Sequence, residues 1–123
     1  MSTFRKGSAL VILIAIVSLV AAMSAFGGSS STDVTTVNVT LGKPSEFKIT
    51  VSKKTFGKGI TTFKVTNKGA LSHDFKISGR KTRMLSTGKS ATLRTILKKG
   101  KYAYLCTVPG HAAAGMKGVI VVK

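Results

Sequence analysis

The chain contains one long apolar stretch near its N-terminus, followed by a region in which apolar and polar residues alternate. In segments such as 37–41 and 61–67 the alternation has a period of two, which is typical of β-strands with one buried face. Turn signals containing glycine separate these segments, and no helical apolar period is sustained after residue 26. The pattern predicts strands at residues 37–41, 47–51, 61–67, 73–77, 83–85, 91–97, 102–106 and 118–122.

About eight short strands joined by tight turns predict an all-β domain, either a Greek-key β-sandwich or a closed barrel. The last segment, 118–122, has almost no polar interruption, so we expect it to be buried on both faces. The loop of residues 107–117 connects the last two predicted strands. It should lie at one end of the domain, where functional loops gather on a rigid scaffold.

The apolar N-terminal stretch is interpreted as an export segment. Residues 1–26 combine a short positive region, an uncharged apolar run and small residues suited to cleavage, which is the pattern of a signal peptide. Because residues 7–28 carry no charge, an uncleaved N-terminal membrane anchor is the alternative. Residues 27–33 read as a flexible Gly/Ser linker and residues 34–123 as one folded domain. Either version places the domain in the periplasm or on the outer face of the cytoplasmic membrane.

The chain is strongly basic. Twenty lysine and arginine residues face three acids, Asp33, Glu46 and Asp74, and the formal net charge at pH 7 is +17. Such a surface attracts acidic partners in a salt-dependent manner, so we expect an acidic partner protein, with an anionic membrane surface as a second candidate. The chain has no Trp, and its two Tyr are expected on a core face, so it lacks the stacking platform of single-strand nucleic-acid binders. We expect a monomer that binds no nucleic acid.

Candidate chemistry is concentrated in the stretch 106–116. This stretch contains Cys106, His111 and Met116, with four residues between each pair of neighbours. A second imidazole, His73, begins a predicted strand on its apolar side. A thiolate, two imidazoles and a weak thioether are the ligands of a mononuclear blue-copper electron-transfer site. The chain has one Cys and two His in total, and this site would use all three.

Each of these residues has another explanation when taken singly. A lone cysteine is often an inert part of a core, and a methionine often fills gaps there. An exported protein with a single cysteine cannot form an internal disulfide, which favours a ligand role for Cys106. Zinc is the alternative metal, because a His₂Cys set with an open fourth position also occurs in catalytic zinc sites, with Asp74 as the nearby carboxylate. Met84 lies among basic residues and is interpreted as structural.

Three segments give the domain a family resemblance: Val65–Gly69, Ser72–Phe75, and Tyr102–Cys106 leading into His111 and Met116. Together they resemble the cupredoxins, the plastocyanin and azurin class of small blue-copper proteins. The resemblance implies a cupredoxin-like Greek-key fold and one type 1 copper ion. It also implies His73, Cys106 and His111 as equatorial ligands and Met116 as the axial ligand.

Two features depart from the family pattern. Four residues separate Cys106 from His111, as is typical of azurins, whereas plastocyanins typically have two. Four residues also separate His111 from Met116, as is typical of plastocyanins, whereas azurins typically have three. Asp74 follows His73 at a position where many cupredoxins have an Asn that ties the two ligand loops together. Because a carboxylate accepts hydrogen bonds from backbone N–H groups, we expect Asp74 to bind a group such as the N–H of Thr107.

The residues and the resemblance predict an exported blue-copper protein that carries single electrons between redox partners by Cu(II)/Cu(I) cycling. An exported copper carrier that delivers or buffers the metal is the alternative, since the same ligands would serve. A third hypothesis is a basic β-sandwich that binds an anionic surface or polymer and has a fortuitous metal motif. We do not expect an enzyme, because a lone copper with no second metal offers a substrate no evident place.

Overall fold

The computed structural model of the protein describes residues 33–123, which form two β-sheets around one core. The all-β prediction is confirmed, with nine strands where about eight are expected. The predicted export segment and all but the last residue of the predicted linker lie outside the described residues. The strands are β1 (Val34–Leu41), β2 (Ile49–Val51), β3 (Thr55–Phe56), β4 (Gly59–Asn67), β5 (Lys76–Ile77), β6 (Arg80–Lys81), β7 (Ser90–Leu97), β8 (Gly100–Leu105) and β9 (Lys117–Val122).

A parallel pair of strands sets the layout of the first sheet. This sheet has the order β2-β1-β4-β7, and the second has the order β3-β9-β8-β5-β6. β1 and β4 run parallel, from Val34 opposite Ile60 to Leu41 opposite Asn67. Both strands therefore finish at the same end of the sandwich, and the loops that follow them meet there.

The two ends of the sandwich are formed by different sets of loops. The ligand end comprises residues 42–48, 68–74 and 106–117, where β1, β4 and β8 finish and β9 begins. The opposite end comprises residues 33, 57–59, 98–99 and 123, where β1 and β4 begin and β7 and β9 finish. Within residues 33–123, no helix has the length and apolar character needed to cross a membrane.

Aromatic rings join the two sheets directly beneath the ligand end. The ring of Phe75 lies 5.3 Å from that of Phe63 on β4 and 5.6 Å from that of Tyr104 on β8, measured between centroids. Burying such a ring stabilises the fold by about 1.5–3 kcal/mol. Phe75 is fully buried and follows His73 by two residues, so it anchors the segment that presents this imidazole.

The expectation that residues 118–122 are buried on both faces is wrong. Val119 is 50% exposed, whereas Ile120 is fully buried. β9 is paired with β8 on one side and β3 on the other, but the outer face of this sheet is open to solvent. Apolar residues on that face reflect the preference of β-branched side chains for strands rather than burial.

The predicted strand at 73–77 is shorter than expected, because only Lys76–Ile77 pairs in a ladder. His73 instead forms an isolated bridge with Leu85, in which each N–H donates to the other's carbonyl at 3.0 Å and 2.8 Å. The predicted short strand at 83–85 is reduced to the same bridge. The chain leaves the ladder here to place the side chains of His73 and Asp74 at the ligand end.

Candidate metal centre

Three of the four predicted ligands converge at the ligand end. Nδ1 of His73 lies 3.1 Å from Nδ1 of His111, and Sγ of Cys106 lies 3.9 Å from the first nitrogen and 3.7 Å from the second. In the described part of the chain, they form the one cluster of at least three His, Cys, Asp or Glu residues with donor atoms close enough to hold a metal ion. His73 and Cys106 are buried and His111 is half-buried.

These separations fit a single ion. Bonds of about 2.0 Å to nitrogen and about 2.3 Å to sulfur, as in zinc sites, place neighbouring ligand atoms about 3.3–3.7 Å apart at tetrahedral or trigonal angles. The observed separations run from 3.1 Å to 3.9 Å. A His₂Cys set, completed by a weak axial thioether, is the donor set that copper takes in electron-transfer sites.

Local hydrogen bonds fold the loop that supplies Cys106 and His111. Pro109 and Gly110 occupy the centre of a turn in which the N–H of His111 donates to the carbonyl of Val108 at 3.1 Å. Gly110 has a φ of +82°, which a type II turn requires at this position and which glycine adopts without a steric penalty. Pro109 and Gly110 therefore turn the chain back and bring the imidazole of His111 to the sulfur.

Met116 lies beside the cluster. Its N–H donates to the carbonyl of His111 at 3.0 Å, and its carbonyl accepts the N–H of Cys106 at 3.1 Å. Its side chain is fully buried, whereas that of Met84 is 50% exposed. The backbone of Met116 is thus tied to both loop ligands, and Met84 lies at the surface.

Asp74 connects the two segments that carry the predicted ligands. Its Oδ1 accepts the backbone N–H of Thr107 at 2.6 Å, as predicted, and its Oδ2 accepts the Thr107 hydroxyl. Asp74 follows His73 and Thr107 follows Cys106, so this contact holds both ligands in register. Both carboxylate oxygens are used as acceptors, and no donor is needed.

The surroundings of Cys106 favour a metal-bound thiolate over a free one. Burial raises the pKa of the thiol, while N–H groups of Asp74 and Val108 favour the thiolate and the Asp74 charge opposes it. Ligation by a cation deprotonates a thiol outright. The sulfur is therefore suited to act as a ligand rather than as a free nucleophile.

Asn67, at the end of β4, fixes the segment that presents His73. Its Nδ2 donates to the carbonyls of Leu71 at 2.8 Å and Leu85 at 2.7 Å, and its Oδ1 accepts the N–H of Gly69 at 2.9 Å. The Leu85 carbonyl also accepts the N–H of His73. A fully buried side chain therefore satisfies three backbone groups around the imidazole.

Sequence reasoning missed the neighbours that touch the two imidazoles. Oε1 of Glu46 lies 2.6 Å from Nε2 of His73. The ring of Phe47 meets that of His111 edge-on, with centroids 5.0 Å apart and an interplanar angle of 68°. Both residues precede β2 in the loop that follows β1. The rarity of acids in this chain is the one signal that could have drawn attention to Glu46.

A family model described as copper binding proteins of the plastocyanin/azurin family matches residues 25–123 of the chain. This range includes the whole described sandwich and all four predicted ligands. No curated protein matches the sequence.

Solved structures with a similar fold include blue-copper proteins. A dithionite-reduced auracyanin from the photosynthetic bacterium Roseiflexus castenholzii is 26% identical, with a TM-score of 0.58 over 72% of this chain and 97% of that one. Rusticyanin from Thiobacillus ferrooxidans is 23% identical, with a TM-score of 0.62 over 73% and 77%. Auracyanin A, a "blue" copper protein from Chloroflexus aurantiacus, is 17% identical, with a TM-score of 0.60 over 73% and 99%. These structures share the fold of this chain.

Proposed function

Because the chain belongs to the plastocyanin/azurin family of copper-binding proteins, we propose that it is an electron carrier in which His73, Cys106, His111 and Met116 hold one copper ion. The observation that supports this most directly is the convergence of two imidazole nitrogens and one sulfur within 3.9 Å of one another. When bound, copper supplies a one-electron Cu(II)/Cu(I) couple. We propose a carrier rather than an enzyme, since the cluster is closed in by protein on the sides of His73, Cys106 and Met116.

The protein's own residues hold the ligands in one arrangement. Asp74 links the His73 segment to the Cys106 segment, and Asn67 fixes the backbone before His73. The type II turn holds His111 against the cluster from the surface side. Because these contacts do not depend on the metal, the ligand positions should change little between oxidation states, which favours fast electron exchange.

We also propose that the protein is exported and works in the periplasm or on the outer face of the cytoplasmic membrane. The support is the sequence of residues 1–26, which has the features of a signal peptide or anchor. A chain of this kind with a single cysteine is compatible with an oxidising compartment, because it has no second thiol for an internal disulfide.

The surface around His111 suits an acidic redox partner. Residues 107–116 carry no charged side chain, and the exposed positions among them are Pro109, Gly110, Ala113 and Ala114. Four exposed lysines lie at the same end of the sandwich: Lys43, Lys48, Lys68 and Lys117. A small apolar contact with a charged rim is suited to brief encounters that are steered by electrostatics.

Salt should therefore slow electron transfer to an anionic acceptor. With hexacyanoferrate(III) as the probe, we expect the second-order rate constant to fall about tenfold as the Debye length shrinks from ~30 Å to ~8 Å. The cationic oxidant tris(phenanthroline)cobalt(III) should show the opposite trend. Stopped-flow oxidation of the reduced protein at several ionic strengths measures both.

Paired lysine variants locate the steering surface. Replacing Lys48 and Lys117 by Gln should lower the low-salt rate with hexacyanoferrate(III) more than replacing Lys58 and Lys123, which lie at the opposite end. The two double variants lose the same charge. A rate independent of ionic strength, or equal effects of the two pairs, would contradict steering towards the ligand end.

The proposed function is tested by adding Cu(II) to the purified domain. We expect an intense visible absorption that saturates at one equivalent, bleaches on reduction and returns on oxidation over many cycles. Failure to develop this band would refute the assignment. If the protein turns blue but rapidly transfers its copper to a metal-free acceptor protein, the alternative function is favoured, that of a copper carrier that delivers or buffers the metal.

A further inference from the structure

Glu46 approaches His73 from the side of the ring that faces away from the cluster. Its Oε1 lies 2.6 Å from Nε2 of His73, while Nδ1 of the same ring faces Cys106 and His111. The imidazole is fully buried. The two ring nitrogens therefore have distinct neighbours, a carboxylate on one side and the metal-binding cluster on the other.

The carboxylate itself is held in place. The N–H of Ala70 donates to Oε2 at 2.9 Å and the N–H of Leu71 donates to Oε1 at 2.8 Å. These bonds, together with the bond to His73, lower the pKa of Glu46 to about 2. Because a backbone N–H donates to each carboxylate oxygen, both oxygens act as acceptors, and Nε2 of His73 is the donor in the contact with Oε1.

The backbone leaves room for this contact. A Cβ atom added to Gly69 would lie 2.6 Å from Oε1 of Glu46 and 3.0 Å from Nε2 of His73. Any side chain at residue 69 would therefore push the carboxylate and the imidazole apart. The absence of a side chain at Gly69 is what permits the close approach.

The distribution of acids is uneven. Of the three acids in a chain of net charge +17, Glu46 and Asp74 lie at the ligand end and Asp33 lies at the opposite end. The first two each bond to a residue in or next to the predicted ligand set. Acids that served only to keep the domain soluble would not need to bond to residues at the proposed metal site.

We propose that Glu46 is a positioning residue for the copper site, an inference that rests on the proposed function. By accepting the Nε2 proton it fixes His73 in the tautomer whose Nδ1 lone pair faces the metal. Its charge makes the imidazole a stronger donor, which stabilises Cu(II) more than Cu(I) and lowers the reduction potential.

The positioning role can be tested without metal. In the metal-free protein, long-range ¹H–¹⁵N spectra should show His73 as the Nε2–H tautomer with a strongly deshielded proton. Glu46→Ala should convert it to a mixture of tautomers or to rapid exchange, while Glu46→Gln, which keeps an acceptor of the same length, should keep the Nε2–H form. An unchanged His73 tautomer in Glu46→Ala would overturn the positioning role.

The role of the charge is tested with copper. Glu46→Gln should lower the ratio of Cu(II) affinity to Cu(I) affinity about tenfold. Hydrogen bonds to metal ligands from residues that do not touch the metal commonly have effects of this size. For a one-electron couple this is a rise in midpoint potential of about 59 mV. Asp33→Asn removes the same charge at the opposite end and is the matched control.

The results separate this inference from the proposed function. If the wild type forms no blue copper site, the proposed function fails, and the tautomer measurement still decides whether Glu46 orients His73. If the wild type is blue and Glu46→Gln shifts the potential no more than Asp33→Asn does, the electronic role of Glu46 is wrong. Glu46→Gln preserves side-chain size, so this comparison does not depend on the folding of Glu46→Ala.

Discussion

Replacing Cys106 by Ser should abolish the visible absorption of the copper-loaded protein. The thiolate is the soft ligand of the proposed site, and a serine hydroxyl at a position that is 1% exposed stays protonated and binds copper weakly. Loss of a contact that only supports a ligand costs about 10–100-fold in metal affinity. Loss of the sulfur itself should therefore cost more than about 100-fold, measured by competition titration with a chelator.

Met84→Leu is the matched control for this experiment. It removes the one sulfur of residues 33–123 that is not in the proposed ligand set, from a side chain that is half-exposed. This variant should keep the wild-type spectrum and copper affinity. A blue band that survives in Cys106→Ser would show that the sulfur of Cys106 is not a copper ligand, provided that circular dichroism shows the variant to be folded.

Replacing Asn67 by Ala should destabilise the metal-free domain by about 2–4 kcal/mol, because it removes three hydrogen bonds and leaves the buried N–H of Gly69 without its partner. The affected groups are the carbonyls of Leu71 and Leu85 and the N–H of Gly69. Urea unfolding of the two proteins gives the difference in free energy of unfolding. Since Asn67 lies next to the His73 segment, copper affinity should fall in the same variant.

Asn38→Ala is the control for the Asn67 prediction. Asn38 lies on β1 with an exposed side chain, and a surface substitution of this kind usually changes stability by less than about 0.5 kcal/mol. Similar unfolding midpoints for Asn67→Ala and the wild type would contradict the role assigned to the three hydrogen bonds. A destabilised variant with unchanged copper affinity would limit that role to folding.

The sequence predicts the features of this fold that depend on near neighbours in the chain. Alternation of apolar and polar residues places β1, β4 and β7 because the side chains of a strand alternate between two faces. The spacing of Cys106, His111 and Met116 identifies the loop. The turn within this loop depends on the adjacent residues Pro109 and Gly110, which is also a local signal. His73 was found by its chemistry, as one of only two histidines.

Contacts between distant segments are not encoded by such local patterns. Glu46 and His73 are 27 residues apart, and their pairing depends on the parallel alignment of β1 and β4, which brings their following loops to one end. The bond from Asn67 to the carbonyl of Leu85 likewise depends on where the Leu85 segment crosses. The exposure of Val119 follows from which sheet face remains uncovered, which the apolar run at 118–122 cannot reveal.

Asp33 and Lys123 line the same surface depression at the opposite end of the sandwich, away from His111. A tag, a fusion partner or the linker to a solid electrode can therefore be attached at either position without screening the apolar loop. Immobilised in this way, the molecules would share one orientation, with the imidazole directed into solution and the attachment point behind it. An electron passing through the protein to the support would then have to cross the distance between the ligand end and the opposite end.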